Sequence, residues 1–392
     1  MTDDFPEPKE DVEKVKPGQL KERIDNNEDF ILLDVRAENE HQEWAIELEN
    51  GEVHNHPYFA LLEGLTDEVR EKLEDESREI IVVCAKGGSS EYIASLIKEE
   101  LELDAKNLEE GMNGWAKIYE SETLELDNGK LIQYHRPSSG CLGYMVKSQG
   151  ESAVIDPLRA FKDLYIEDTK DTELKYAIDT HIHADHISGV RQLGESDETT
   201  SVIPEAARGR GVTYIDEVKS MEDGETLQVG DIEIKAIHTP GHTTGMTSYL
   251  IDDEAVLTGD GLFIESVARP DLEKGDEGAE KQAEQLYDSL QEKILTLPDD
   301  VYVGAAHLSD GTEPQENGLY MKNIGQIKED LEPLSYSKKD FVEYIISDMP
   351  PRPSNYDKII PTNKGERETD KDEAFEMELG PNNCAATKGR ME

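Results

Sequence analysis

Thr180-His181-Ile182-His183-Ala184-Asp185-His186 decides how this chain is read. Four side chains able to bind a metal fall within six residues, in the order H-x-H-x-D-H. His238-Thr239-Pro240-Gly241-His242 follows, then Thr258-Gly259-Asp260, then an isolated His307. The ordered set is His181, His183, Asp185, His186, His242, Asp260 and His307. The chain has only ten histidines, and half of them lie in this set, which weighs against scattered core or surface histidines.

Imidazole and carboxylate side chains suit zinc or iron(II). A motif this tight can aim several ligands at one point only from irregular backbone. The sequence places it there. Lys175–Thr180 reads as a buried strand, so the motif sits at a strand's C-terminal end. Asp260 follows an apolar run at 254–258 and His307 one at 301–303. His242 lies in a Pro-Gly turn after the strand pattern of 232–237.

This pattern resembles the metallo-β-lactamase superfamily over roughly residues 130–350. The resemblance implies an αββα sandwich with metal bound at one edge. Finer features are similar to the persulfide dioxygenase branch: Thr180 to Gly189, Gly259-Asp260-Gly261-Leu262-Phe263-Ile264, Ala268-Arg269-Pro270-Asp271 and Leu286-Tyr287-Asp288-Ser289-Leu290. Two departures are visible. Ala268 stands where the branch has Gly, and Leu308-Ser309-Asp310-Gly311 where it has a Gly-rich tail. The resemblance implies one iron(II) per chain, held by His181, His242 and Asp260. His183, Asp185, His186 and His307 would then orient the ligands or hold a second metal. Arg269 would bind a carboxylate of the thiol substrate, or equally form a structural ion pair. A rival carries the same ligands: a dinuclear zinc site, as in glyoxalase II-like thioester hydrolases, with Asp260 as the bridge. A sulfur carrier with a decayed metal domain is the third reading, disfavoured by the complete ligand set.

The N-terminal third carries a second motif. Residues 30–36 and 79–83 read as buried strands, and Cys84-Ala85-Lys86-Gly87-Gly88-Ser89-Ser90 follows the second. A helical pattern then runs to about Leu101. A thiol between a strand and a helix start can have its thiolate stabilised by backbone N–H groups, with Lys86 nearby. An inert buried thiol is the bland alternative. The loop resembles that of rhodanese, as do Asp34-Val35-Arg36 and Gly111-Met112-Asn113-Gly114-Trp115. The resemblance makes Cys84 the sulfur-carrying nucleophile and Lys86, Gly87, Gly88 and Ser89 its substrate loop. Arg usually stands where this chain has Ser89, which implies weaker oxyanion binding. Cys141 reads as a packing residue in a strand, Cys384 as incidental, and Met112, Met145 and Met246 as packing.

The fold expectation is therefore a two-domain α/β chain. A rhodanese-like parallel sheet domain covers 10–119. Glu120–Asp127 reads as a linker that runs out through the Asp127-Asn128-Gly129 turn, giving boundaries of 120–130. The αββα domain covers 131–365, and the acidic, apolar-poor composition of 366–392 predicts a frayed or disordered tail. Helical patterns occupy 276–297, 319–332 and 338–348, with Pro350 to Pro353 ending the last helix.

The expected partners are a small thiol persulfide, dioxygen, and thiosulfate or sulfite, with a homo-oligomer left open. Forty basic residues face 89 acidic ones, a net charge of −49. That balance opposes nucleic-acid and anionic-membrane binding, which need basic patches. No apolar run reaches the eighteen or so residues of a membrane span. The acidic N-terminus lacks the basic and apolar regions of a signal peptide. Three distant cysteines fit a reducing cytoplasm. Acid spread along the whole chain suits a salt-loaded cytoplasm, where ions screen the self-repulsion. The expected outcome is cooperative unfolding as salt is withdrawn, followed by circular dichroism; full stability in dilute buffer would contradict it.

Overall fold

A computed structural model describes residues 6–380, except 9, 74–76, 310–311, 348 and 350–351. Cys384, the chain beyond 380, Asp310-Gly311 and part of the 350–353 proline run lie outside the described residues. The chain divides into two compact units. The first holds residues up to Ile118, and the second the bulk from Tyr119 to Glu378.

The first unit is built on a five-stranded sheet. Its order is Lys14–Val15, Ala105–Leu108, Ile80–Val83, Ile31–Asp34 and Glu52–Asn55, every pair parallel. The central strands Ile31–Asp34 and Ile80–Val83 are buried at every position. Continuous Ile/Leu/Val runs of that kind belong to a parallel sheet covered on both faces. One face packs Ile93, Leu96 and Ile97 of the helix Gly88–Leu101; the other packs Leu20, Met112 and Trp115.

The second unit is the expected sandwich. A seven-stranded sheet runs Lys219–Met221, Thr200–Pro204, Glu173–Ile178, Glu151–Ile155, Cys141–Ser148, Gly129–Arg136 and Glu120–Leu126 in spatial order. A six-stranded sheet runs Thr226–Val229, Ile232–His238, Thr247–Ile251, Ala255–Gly259, Tyr302–Ala305 and Lys322–Asn323. Leu142, Tyr144, Ile155 and Ile178 of the first meet Ile232, Ile234, Tyr249 and Leu257 of the second between the layers. Tyr165, Val190 and Leu193 cover one outer face. Leu286, Leu290, Ile327, Phe341 and Ile345 cover the other. At the edge that carries the metal motif, Leu142 N donates to Ala306 O (2.7 Å) and Leu308 N to Gly140 O (2.9 Å). These bonds tie the two sheets together there. Among the described residues no helix is long and apolar enough to cross a membrane.

Several expectations are corrected. Glu120–Leu126 is no linker: it pairs antiparallel with Gly129–Arg136 through the Asn128-Gly129 hairpin turn. It is an edge strand, exposed at five of its seven positions, so its acidic residues read as a linker. The helix expected at 319–332 spans only Ile324–Asp330, because Asn323 caps it by accepting from Gln326 N (2.8 Å). Lys322–Asn323 instead pairs with the strand Tyr302–Ala305. Two helices follow the proline run, Tyr356–Asn363 and Lys371–Met377. Residues 366–380 are therefore not a frayed tail. Asp370 caps the second of these helices by accepting from Glu373 N. Ala374 and Met377 pack on Ile187 and Ile359. Two apolar positions among many charges give too weak a periodicity to announce such a helix.

Candidate metal centre and cysteine loop

The metal motif occupies irregular backbone between Glu173–Ile178 and the short helix Val190–Leu193. His242, Asp260 and His307 come from strand ends of the other sheet. The ligand candidates therefore meet where the two layers join. Gly259, at φ +52°, makes that approach feasible: a Cβ there would lie 2.2 Å from Met246 Cε and 2.6 Å from Thr180 Oγ1.

The structure sorts the seven predicted residues into three groups. His181, His242 and Asp260 offer ligand atoms that all lie within 4.8 Å of one another. Asp260 Oδ2 is 3.6 Å from His181 Nε2 and 3.4 Å from His242 Nε2. Ligands bonded at about 2.1 Å to one ion sit roughly 3.0–3.4 Å apart, so these two separations need only slight contraction. His181 Nε2 and Asp260 Oδ2 are buried without a hydrogen-bond partner among the described residues. Buried polar atoms are rarely left so, and a cation between them satisfies both.

Neighbouring bonds fix which nitrogens are free. His242 Nδ1 lies 2.9 Å from Arg269 O. A carbonyl only accepts, so Nδ1 carries the hydrogen and Nε2 the lone pair. Thr180 Oγ1 donates to Asp156 Oδ2 (2.9 Å) and therefore accepts from His181 Nδ1 (2.9 Å), which also frees Nε2. Burial holds His181 down at about 3, with His183 adding to the effect, and burial lowers His242 too. Burial alone would raise Asp260, but His307 and His181 keep it well below the ordinary carboxylate range. The set is two neutral imidazoles and one carboxylate.

Asp185, His186 and His307 form a second group with Cys141. His307 is bonded on both nitrogens, Nδ1 to Asp260 Oδ1 (2.5 Å) and Nε2 to Asp185 Oδ2 (2.6 Å). Burial works against its charge, yet Asp185 and Asp260 outweigh that and hold it well above the ordinary imidazole value. His183 turns away to a third group, with Nε2 3.1 Å from Asp156 Oδ1 and Asp179 beyond. Arg269 is buried in a two-pronged pair with Asp271, through Nε (2.7 Å) and Nη2 (3.0 Å).

In the first unit, Cys84 is buried at the end of Ile80–Val83. Gly87 N donates to its Sγ at 3.1 Å. Ser90 Oγ is 3.1 Å from Sγ and 2.6 Å from Asn107 Oδ1. Its single hydrogen goes to the amide oxygen, so the thiol donates to Ser90; on ionisation the hydroxyl can turn to the sulfur. Gly87 has φ +91° and opens the helix Gly88–Leu101. Lys86 and Gly88 are exposed and Ser89 is buried. The Gly111–Trp115 turn buttresses the loop from behind. Met112 N donates to Cys84 O (2.8 Å) and Asn113 N to Ala85 O (3.0 Å). A Cβ at Gly111 would lie 2.0 Å from Cys84 O. Asp34 and Arg36 form a buried ion pair at 2.6 Å that also engages His41.

Comparison with known proteins agrees with this geometry. The model of the metallo-beta-lactamase superfamily matches residues 138–307, and that of the rhodanese-like domain residues 16–118. "Persulfide dioxygenase ETHE1, mitochondrial" of Bos taurus is 30% identical over 241 residues, covering 59% of this chain and 87% of that protein. The chain belongs to the metallo-β-lactamase superfamily. The crystal structure of ETHE1 from Myxococcus xanthus superposes with a TM-score of 0.51 at 28% identity, covering 59% of this chain and 96% of that one. "Hydroxyacylglutathione hydrolase cytoplasmic" of Arabidopsis thaliana is 30% identical over 171 residues, covering 41% of this chain and 60% of that protein.

The metallo-β-lactamase domain holds residues that sequence reading missed. Cys141 was read as packing; its Sγ lies 3.4 Å from Asp185 Oδ2. Its strand is buried at all eight positions, so alternation could not tell which face it points to. Asp156 anchors Thr180 through N (2.7 Å) and Oγ1. Asn363 Nδ2 donates to His183 O (3.0 Å) and His186 O (2.8 Å), and Glu378 accepts from Ile187 N (2.8 Å). These partners lie far from the motif in sequence and carry no local signal. Removing such an orienting group weakens metal binding about 10- to 100-fold. Thr180→Val is expected to do so in chelator competition with little change in thermal stability; unchanged metal affinity would show that Thr180 does not orient His181.

Proposed function

We propose that this chain oxidises the terminal sulfur of a low-molecular-weight thiol persulfide at one iron(II) held by His181, His242 and Asp260. Cys84 would move sulfane sulfur in the rhodanese-like unit. The observation that carries the reading is the separation of the ligand groups. Two imidazoles and one carboxylate converge, with His181 Nε2 and Asp260 Oδ2 orphaned, while His307 spends both nitrogens on Asp185 and Asp260. The likeness to persulfide dioxygenases supports the same choice.

A two-histidine, one-carboxylate face leaves open positions, where iron(II) would supply adjacent sites for a persulfide sulfur and dioxygen. The balance is RSSH + O₂ + H₂O → RSH + H₂SO₃. The terminal sulfur is oxidised, dioxygen is reduced, and the S–S bond breaks to release the thiol. The chain's own part is positioning. Thr180 and the Arg269 carbonyl aim the two imidazoles. His307 holds a proton between Asp185 and Asp260 and keeps Asp260 Oδ2 turned to the histidines. Burial of all three ligands excludes bulk water.

At Cys84 the Gly87 N–H and the Ser90 hydroxyl steady the sulfur as it gains charge. A Cys84 persulfide could pass its outer sulfur to a thiol, giving RSSH for oxidation, or to sulfite, giving thiosulfate. The acidic composition fits this chemistry in a salt-loaded cytoplasm.

A thioester hydrolase with two zinc ions is the competing reading, motivated by the hydroxyacylglutathione hydrolase likeness. It requires His307 to free one ring nitrogen from its carboxylate for a metal, while the other can keep its bond. The expected outcome is one dioxygen consumed and one sulfite formed per persulfide supplied, read by oxygen electrode and sulfite assay. Thioester hydrolysis without oxygen uptake would overturn the proposal. Cys84→Ser should abolish thiosulfate:thiol sulfur transfer, and unchanged transfer would remove the rhodanese role.

A further inference from the structure

Beside the metal motif lies a cavity of about 200 Å³ lined by Arg210, Leu272, Glu273, Ile360 and Lys364. Its walls reach the ligand loops. Leu272 packs with Ala184, between His183 and Asp185, and Ile360 joins that cluster. Arg210 Nη1 donates to Ile182 O at 3.5 Å, between His181 and His183. Glu273 accepts from Thr244 N (2.6 Å) and Oγ1 (2.8 Å), two residues past His242.

Arg210 is the anomaly. Its side chain is only 7% exposed, and its Nε lies 3.6 Å from Glu273 Oε2. A guanidinium offers five N–H donors. Among the described residues this one makes a single, long hydrogen bond. Both Glu273 oxygens are already shared with Thr244. Burial works against the Arg210 charge and Glu273 opposes this only in part. Buried charges are normally paired and hydrogen-bonded. A cation with spare donors beside a small cavity calls for a planar anion, and a guanidinium matches a carboxylate prong for prong. Lys364, paired with Glu366 at 2.7 Å, adds a second cation to the lining. Arg269 has two of its nitrogens on Asp271, so the carboxylate-binding task expected of it from sequence falls better to Arg210.

We propose that this cavity receives the carboxylate end of the thiol whose sulfur reacts at His181, His242 and Asp260. Arg210 is the principal contact and Lys364 the second. Leu272 and Ile360 face the carbon chain between carboxylate and sulfur. The proposal rests on the persulfide reading above and names its substrate class: a thiol with a free carboxylate on a short arm. Ligand pockets for larger molecules run to roughly 300–1,000 Å³, so this cavity suits one arm rather than a whole tripeptide or nucleotide. On a chain of net charge −49 an anion is repelled at long range. A buried cation is screened little by salt, so the contact persists where surface pairs fade.

The test is binding of a pair of unreactive probes, S-methyl-N-acetylcysteine and its primary amide, by calorimetry in the salt that keeps the protein folded. They share a thioether sulfur and differ in the carboxylate. Wild-type protein should bind the acid more tightly by about 10- to 100-fold, the range of a hydrogen-bonded charge pair. Arg210→Met should bring the two within about twofold, and Lys364→Met should narrow the gap in part. Lys364 is less buried, so its variant answers even if Arg210→Met fails to fold. Equal binding of the two probes by wild type, or a preference that survives Arg210→Met, would overturn the proposal. Because the probes do not react, a carboxylate preference supports the anion site even where no persulfide-dependent oxygen uptake is found, and that second result would remove the dioxygenase reading alone.

Discussion

The two oxygens of Asp260 face different partners, and the rest of the metal edge is arranged around that division. Oδ1 is held by His307, itself clamped by Asp185. Oδ2 is left toward His181 and His242. A buried carboxylate without compensation is costly. Here a protonated His307 meets that cost on one side, and a bound cation would meet it on the other. The same bonds occupy both nitrogens of His307, one of the groups a second metal would need. On the reading proposed above, the hydrogen-bonded chain Asp185–His307–Asp260 would keep His307 from serving as a ligand.

Holding that arrangement requires backbone from both sheets at one point. The motif leaves Glu173–Ile178 in one layer, while Asp260 and His307 leave neighbouring parallel strands of the other. Gly259 permits the close approach to Thr180. The C-terminal helices then brace the motif from outside, through Asn363 and Glu378. The sequence made the ligand loop legible because metal chemistry restricts residue types and spacing so severely. The strands beneath it were legible because parallel, fully buried strands are continuous apolar runs. Rhodanese and metallo-β-lactamase folds could thus be read from loops and strands alone.

What escaped the sequence shares a physical cause. Glu120–Leu126 is an edge strand facing solvent, so its charges masked its pairing. Lys371–Met377 buries only Ala374 and Met377. Cys141 belongs to a strand buried on both faces, where period-two reasoning has no contrast to use. Asp156, Asn363 and Arg210 act through contacts distant in sequence, and one distant polar residue looks like any other in a chain so rich in charge. Their roles exist only once the loops are brought together. Arg269 shows the converse: the motif singled out its side chain, yet that side chain closes on Asp271 and it is the carbonyl that accepts from His242 Nδ1.

The most direct test is the metal content of protein purified without oxygen in high salt. One iron per chain, falling to none when Asp260 is replaced by alanine, is the result expected from a single ion facing Oδ2. Two zinc ions per chain would contradict it, and would mean that His307 frees one ring nitrogen from its carboxylate to serve as a ligand.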